Sequence, residues 1–159
     1  MNAIVMRGIA IGVGATLAMD LWAVLLWRCF GEPAPNFAPL GRWCWHLRRG
    51  KVFHPSIAGA EPYRHERVLG WIFHYAVGIV YGVALAAIMG APWLAAPTFV
   101  PAWILGIITV GAGWFLLQPA FGLGVAAARL PNANKVRVMN LLAHTAFAIG
   151  MYATALLIR

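Results

Sequence analysis

The stretch VLGWIFHYAVGIVYGVALAAIMG, residues 68–90, is apolar or small apart from one imidazole, His74, and it decides the fold class. About 20 helical residues cross a hydrocarbon core of about 30 Å. Similar runs occupy residues 4–27, 99–128 and 138–158, and Pro119 interrupts the third. Strands of a β-barrel would alternate apolar and polar residues, which these runs do not do. We therefore predict an all-α integral membrane protein, a bundle of four transmembrane helices.

Composition supports this fold class. The 159-residue chain is 62% hydrophobic and only 10% charged, and its mean hydropathy is +0.77, far above a soluble domain. Little sequence lies outside the runs, so residues 1–159 are expected to form one membrane domain with a single long connection, 28–67. The first run exceeds the apolar core of a typical secretory signal, about 7 to 15 residues, and we interpret it as a retained helix.

The basic residues predict the topology. Ten of the twelve lysines and arginines fall in two connections, whereas the connection APWLAAPT, residues 91–98, has none. The positive-inside rule then makes both basic connections cytoplasmic and both termini periplasmic. Basic residues beside membrane segments fit anionic lipid headgroups, so membrane lipid is the expected partner and nucleic acid is not. The first basic connection carries Arg28, Arg42, Arg48, Arg49, Lys51, Arg64 and Arg67, and the second carries Arg129, Lys135 and Arg137.

The long connection contains LGRWCWHLRRGK, residues 40–51, which predicts a short helix lying in the membrane interface with Trp43 and Trp45 at headgroup level. Glu61 and Glu66, near Arg64 and Arg67, are expected to form exposed ion pairs worth little stability. The connection also carries Cys44, His46, His54 and His65. Their spacing matches no zinc pattern, so we interpret them as solvated or interfacial. Cys29 and Cys44 are expected to be reduced thiols.

The two halves of the chain align with each other. Placing Gly8 over Gly106 sets Asp20 over Gln118, and placing His74 over His144 sets Arg67 over Arg137. Each half would begin outside and return through a basic connection. The alignment predicts a parallel tandem repeat of two helical hairpins.

Four polar side chains lie at similar depth in the predicted helices, one on each: Asp20, His74, Gln118 and His144. Counted from the flanking arginines, Asp20 and the two histidines are roughly 10 to 12 Å from the cytoplasmic ends, and Gln118 is slightly deeper. Ionisable groups at such depth cost about 2.5 to 3.5 kcal/mol on insertion scales, so they need a partner or a purpose.

Three interpretations of this layer are open. It could be a hydrogen-bonded packing layer that fixes helix register. It could hold a divalent transition metal through Asp20, His74 and His144, or a haem with the two histidines as axial ligands and Gln118 beside it. It could also carry protons through Asp20 and the histidines. No catalytic motif is present, so enzymatic activity is not expected.

Several blocks resemble a known family. They are GVGATLAMDLWAVLL (12–26), LGRWCWHLRRGKVFH (40–54), ERVLGWIFHYAVGIVYG (66–82) and LLQPAFGLGVAAARLPN (116–132). Together they are similar to the bacterial four-helix inner-membrane proteins grouped as DUF2938. The resemblance implies four spans in a bacterial inner membrane and assigns no activity to any residue.

The sequence therefore predicts a small inner-membrane protein that binds a metal or haem as a carrier or accessory subunit. One alternative is a structural or interaction subunit, with a membrane-protein partner or a second copy of the chain, whose polar layer only sets packing. The other alternative is a proton-coupled conduit.

Overall fold

The computed structural model describes residues 2–159, with side chains described from Ala3 onward; Met1, where the predicted single domain begins, lies outside them. Its helices are α1 (Asn2–Phe30), α2 (Ala38–Leu47), α3 (Glu66–Ala95), α4 (Phe99–Ala120) and α5 (Ala133–Leu157). Residues 2–159 contain no β-strand. Four of the helices, all except α2, are long and apolar enough to cross a membrane. The prediction of an all-helical chain with four such segments is confirmed.

The helix ends follow the local backbone chemistry. In α3, Gly90 has φ 70° and ψ −173° and is followed by Pro92, so the regular helix breaks at the predicted end of the second run. The third run was predicted to continue to Ala128, but α4 ends at Ala120. Beyond it, Gly122 and Gly124 have φ values of 87° and 77°, which are incompatible with a continuing α-helix.

Within α4 the residues before Pro119 form a π-helical turn, Gly113–Leu117. The N–H of Gln118 bonds to the carbonyl of Gly113, five residues earlier, instead of the usual four. Proline lacks an N–H and crowds the preceding turn, so a distortion was expected at this position. The distortion next to Pro119 is this π-helical turn.

The described chain forms two compact units, defined by residues 2–35, 75–109 and 141–159 for the first unit and by residues 36–74 and 110–140 for the second. In the first unit α1 and α3 make close backbone contact. A Cβ on Gly12 would lie 2.5 Å from the carbonyl oxygen of Gly78, and one on Gly82 would collide with the backbone of Gly12. Glycine is therefore required at this contact, as the GxxxG pair Gly78 and Gly82 predicts.

The core of the first unit is built from α1, α3, α4 and α5. Ile11, Ala15 and Met151 are fully buried in it. Further buried members are Leu85, Ala86, Trp93, Leu94, Ala102, Phe147, Ala148 and Ala155. The first unit is thus a packed assembly of segments from all four long helices.

The second unit has its own core around α2. Trp43, Ile57 and Ala120 are buried together, and the indole N–H of Trp43 donates to the carbonyl of Val52 at 2.8 Å. The short helix was predicted correctly. The indole of Trp43 is a core residue of this unit, and its position at headgroup level stays a prediction. Trp45 instead stacks on Tyr63, with ring centroids 3.7 Å apart, beneath the guanidinium of Arg48.

Arg42 connects α2, the following loop and the start of α3 in the second unit. Its guanidinium forms a bidentate pair with Glu66, with Nε–Oε2 at 2.8 Å and Nη2–Oε1 at 2.9 Å. Nη1 donates to the carbonyls of Ile57, Ala58 and Ala60. The hydrogen bond to Glu66 raises the pKa of Arg42. The two side chains are only 15% and 16% exposed, so the expectation that Glu66 forms an exposed pair with a neighbouring arginine is wrong.

The second unit carries most of the positive charge. Of the twelve basic residues, six lie in residues 36–74 and three in residues 110–140. Residues 36–67 of the first basic connection and the basic residues of the second connection therefore belong to one compact body. The first unit contains the described N-terminal residues, the C-terminus and the uncharged connection 91–98.

Candidate functional site

Asp20 lies on α1 and is buried in the first unit. The hydroxyl of Tyr75, on α3, donates to its Oδ2 at 2.9 Å. Tyr75 is therefore a partner of this carboxyl group. The bond joins two helices that already touch at Gly12 and Gly78, and it fixes their relative register.

His144 lies on α5 and bonds to α4 within the first unit. Its Nδ1 is 2.9 Å from Thr109 Oγ1 and 3.1 Å from the carbonyl oxygen of Gly106. Thr109 uses its own hydroxyl proton on that carbonyl at 2.7 Å. A carbonyl only accepts, so Nδ1 carries the ring proton and donates to both oxygens. The histidine is thereby tied to a turn of α4.

Gln118 lies on α4 in the second unit, just after the π turn. Its Nε2 donates to Asn140 Oδ1 at 2.9 Å, and the indole N–H of Trp114 donates to the same oxygen at 3.0 Å. Its Oε1 is buried with no hydrogen-bond partner. Asn140 is therefore the hub of an amide and indole cluster between α4 and α5, which the sequence pointed to only through Gln118.

His74 lies on α3 in the second unit and has aromatic neighbours. Its ring stacks on Phe37, with centroids 4.1 Å apart and an interplanar angle of 24°, and Trp71 meets it edge-on at 5.9 Å. Of the four polar residues predicted to share one layer, Asp20 and His144 belong to the first unit and His74 and Gln118 to the second.

The metal and haem hypotheses gain no support from these positions. Across residues 2–159 no group of three or more histidine, cysteine, aspartate or glutamate side chains could hold a metal ion. Cys44 offers no reactive ligand either, because burial raises the pKa of its thiol to about 11 and keeps it protonated.

The second unit contains a cavity of about 540 Å³ between the segment after α2 and the loop after α4. His54 is part of its wall and is only 4% exposed, and neither ring nitrogen has a hydrogen-bond partner. Burial lowers the pKa of His54, and nearby His46 and Lys51 lower it further, which favours the neutral ring. The lining residues are Phe53, His54, Pro55, Pro119, Gly124, Val125 and Arg129.

The walls of this cavity are held by backbone contacts between distant segments. The N–H of His54 donates to the carbonyl of Ala120 at 2.9 Å, and that of Ile57 to the carbonyl of Phe121 at 3.1 Å. A Cβ on Gly122 would collide with the carbonyl oxygen of Pro55. Together with its positive φ, this close approach restricts position 122 to glycine.

The loop after α4 also has unusual backbone geometry. Ala126 and Ala127 have φ values of 48° and 59°, a region that costs a residue with a Cβ roughly 1 to 2 kcal/mol. The Nε of Arg137 donates to the carbonyl of Ala126 at 2.9 Å and supports this conformation. Strained segments persist where the surrounding structure determines them, often beside functional sites.

Comparison with known proteins places the chain in a family. The family described as a protein of unknown function, DUF2938, has a model that matches residues 9–158. The chain belongs to the DUF2938 family. The match spans both units and every site residue described above, and the family's description assigns no role to any of them. No curated protein and no solved structure matches the chain.

His54 and Arg129 are the residues that sequence reasoning missed. His46 and His54 were interpreted as solvated or interfacial, and this is wrong, because both are buried. Their burial depends on pairing between residues 54–57 and 120–121, which no local pattern reveals. The available signal was GLGVAAAR, residues 122–129, where two glycines and a run of alanines indicate irregular backbone after a proline-terminated helix.

Proposed function

We propose that this DUF2938 protein is a structural or interaction subunit of the bacterial inner membrane, with both termini periplasmic. The observation that carries the proposal is that the polar side chains of the spans contact side chains and backbone on neighbouring segments of the chain. Asp20 pairs with Tyr75, His144 with Thr109 and Gln118 with Asn140. Such bonds fix helix register and leave the apolar faces of the helices for lipid or for another membrane protein.

The topology proposal has its own support. Nine of the twelve basic residues lie in the second unit, and the positive-inside rule assigns such a region to the cytoplasm. No comparable observation supports the metal or haem carrier that the sequence first suggested, or the proton conduit. Both alternatives differ from the packing proposal in what they predict for metal content, haem absorbance and proton flux.

The packing role is tested at Asp20 and Tyr75. Tyr75→Phe removes the donor to a buried carboxyl group, and we expect it to lower the unfolding free energy in mixed micelles by about 1 to 3 kcal/mol. Asp20→Asn retains an accepting oxygen and is expected to cost less. The matched control is Tyr152→Phe in the same unit, where the ring of Tyr152 packs edge-on against Phe99; a change of less than about 0.5 kcal/mol is expected there.

The same preparations separate the alternatives. Under the packing proposal, wild-type protein and the Asp20 and Tyr75 variants are colourless and metal-free, and liposomes containing them show no proton flux. A Soret band or stoichiometric metal that disappears in His74→Ala and His144→Ala would contradict the proposal. So would proton flux that disappears in Asp20→Asn.

A further inference from the structure

The second unit carries a stack of three side chains at the end of α2. The indole of Trp45 lies nearly parallel to the ring of Tyr63, with centroids 3.7 Å apart and an interplanar angle of 9°. The guanidinium carbon of Arg48 is 3.0 Å from the centroid of the Trp45 ring. Arginine stacks in this way because its planar group is weakly hydrated and is attracted to the negative face of an aromatic ring. We refer to Arg48, Trp45 and Tyr63 as the arginine–aromatic stack.

The stack is fixed to the first turn of α3. The N–H of Tyr63 donates to Glu66 Oε2 at 3.1 Å, and the N–H of Glu66 donates to the carbonyl of Tyr63 at 3.0 Å. The carboxylate thus closes the start of the helix as the glutamate of a capping box does. Arg42 binds the same carboxylate from α2. The stack is therefore held where a helix long and apolar enough to cross a membrane begins.

The short helix α2 packs against these first turns of α3. A Cβ on Gly41 would collide with the carbonyl oxygen of Glu66. A Cβ on Gly70 would collide with the carbonyl oxygen of Phe37. The apolar run of α3 begins between these two contacts, at Val68. With the membrane location proposed above, on which this inference rests, α2 lies at the boundary between hydrocarbon and headgroups, where tryptophan and tyrosine are enriched.

The hydrogen-bond donors of Arg48 are available to a ligand. The side chain is exposed, and within the part of the chain that the structure describes its guanidinium has no hydrogen-bond acceptor and no acidic partner. The second unit contains two acidic residues. Glu66 is bound by Arg42, and the other, Glu61, lies 3.4 Å from Arg49. Stacking therefore orders the guanidinium of Arg48 and leaves its N–H edge open, the arrangement that recognises phosphate through paired hydrogen bonds.

From this geometry we infer that the arginine–aromatic stack binds the phosphate group of an anionic phospholipid at the membrane surface. Arg48 donates to the phosphate oxygens, and Trp45 is the positioning residue that holds the guanidinium in place. Arg64, which is exposed and follows Tyr63 in the chain, adds positive charge beside the stack. A lipid of net negative charge is favoured there over a zwitterionic one, whose own ammonium group is repelled.

The test uses the purified full-length protein, delipidated in detergent, with phosphatidylglycerol as the anionic probe and phosphatidylcholine as the zwitterionic lipid. Binding is measured by native mass spectrometry. We expect phosphatidylglycerol to bind preferentially and Arg48→Gln to weaken its binding about tenfold, the effect of one charge-assisted contact. The matched control is Arg129→Gln, which removes the same charge from an exposed arginine in the loop after α4 and is expected to change binding less than about twofold.

Substitutions that keep the net charge test the stack itself. Trp45→Leu removes the stacking face while Arg48 remains, and we expect it to weaken phosphatidylglycerol binding about fivefold. Trp45→Phe retains an aromatic face and should recover most of the binding. Thermal unfolding in detergent checks that both variants fold. Arg48→Lys, at an exposed position, keeps the charge without the planar donors and should weaken binding about as much as Trp45→Leu.

Three results would overturn the inference. Equal losses of binding in Arg48→Gln and Arg129→Gln would show that net charge alone attracts the lipid. Full binding in Trp45→Leu and Arg48→Lys would show that stacking does not position the guanidinium. Displacement of the lipid by glycerol 3-phosphate or inorganic phosphate at the same concentration as the lipid would show a site for a soluble phosphate. The packing proposal is tested separately, because the stability of Tyr75→Phe does not depend on lipid binding at the stack.

Discussion

At the residue scale, Arg42 joins three segments of the second unit through one guanidinium. It binds Glu66 through two nitrogens and holds three loop carbonyls through a third. Lysine has one ammonium group and cannot reproduce this planar arrangement. We expect Arg42→Lys to lower the unfolding free energy in mixed micelles by about 1 to 3 kcal/mol.

Arg49 provides the control for Arg42. Its Nη1 lies 3.4 Å from Glu61 Oε2, and both side chains are largely exposed. Exposed pairs contribute little because water and salt screen them, so Arg49→Lys should change the unfolding free energy by less than about 0.5 kcal/mol. Equal effects of the two substitutions would show that the loop carbonyls and the bidentate pair contribute nothing specific.

His54 makes the stability of the fold depend on pH. An exposed histidine in the unfolded chain titrates near 6.5, whereas burial, His46 and Lys51 lower the pKa of His54 in the folded protein. As the pH falls below about 6.5, the unfolded chain binds this proton first, so folding stability decreases. We expect the unfolding midpoint to fall between pH 7 and pH 5.5.

Substitution identifies the group responsible for that pH dependence. His54→Phe removes the titrating ring and should flatten the stability curve over this range, although His46 and Lys51 nearby remain. His65 is exposed, so His65→Gln should leave the slope of wild type unchanged. An unchanged slope in His54→Phe would mean that this imidazole is not the group that opposes folding at low pH.

At the element scale, the spans could be predicted because the length of an apolar run is a local property of the chain. The short helix α2 could be predicted for the same reason. The end of α4 could not, because residues 121–128 are as apolar as a helix and only the positive φ values of Gly122 and Gly124 stop it. Gly122 packs against Pro55, a contact far away in the sequence that no local pattern reveals.

The hydrogen-bond partners in the predicted polar layer could not be predicted either, because they lie on neighbouring helices. Helical spacing predicts a depth for Asp20 and Gln118, but their partners, Tyr75 and Asn140, depend on how neighbouring helices rotate. In the proposed repeat Tyr75 aligns with Thr145, and Asn140 with Gly70, so aligned residues have different partners. The tandem repeat therefore stays a prediction from the sequence.

At the scale of the whole molecule, the distribution of charge predicts how the chain crosses the membrane. The second unit holds nine of the twelve basic residues, and the first holds the C-terminus and the uncharged connection 91–98. Positively charged segments are retained on the cytoplasmic side during insertion. We therefore expect Ser56, an exposed residue in the second unit, to face the cytoplasm and Arg159 to face the periplasm.

Single cysteines test this orientation in a background in which Cys29 and Cys44 are replaced by serine. In spheroplasts, a membrane-impermeant maleimide should label Arg159→Cys and leave Ser56→Cys unlabelled until the cells are lysed. The labelling pattern should reverse in inverted membrane vesicles, which expose the cytoplasmic face. If Ser56→Cys were labelled in intact spheroplasts, the basic unit would be periplasmic and the predicted topology would be wrong.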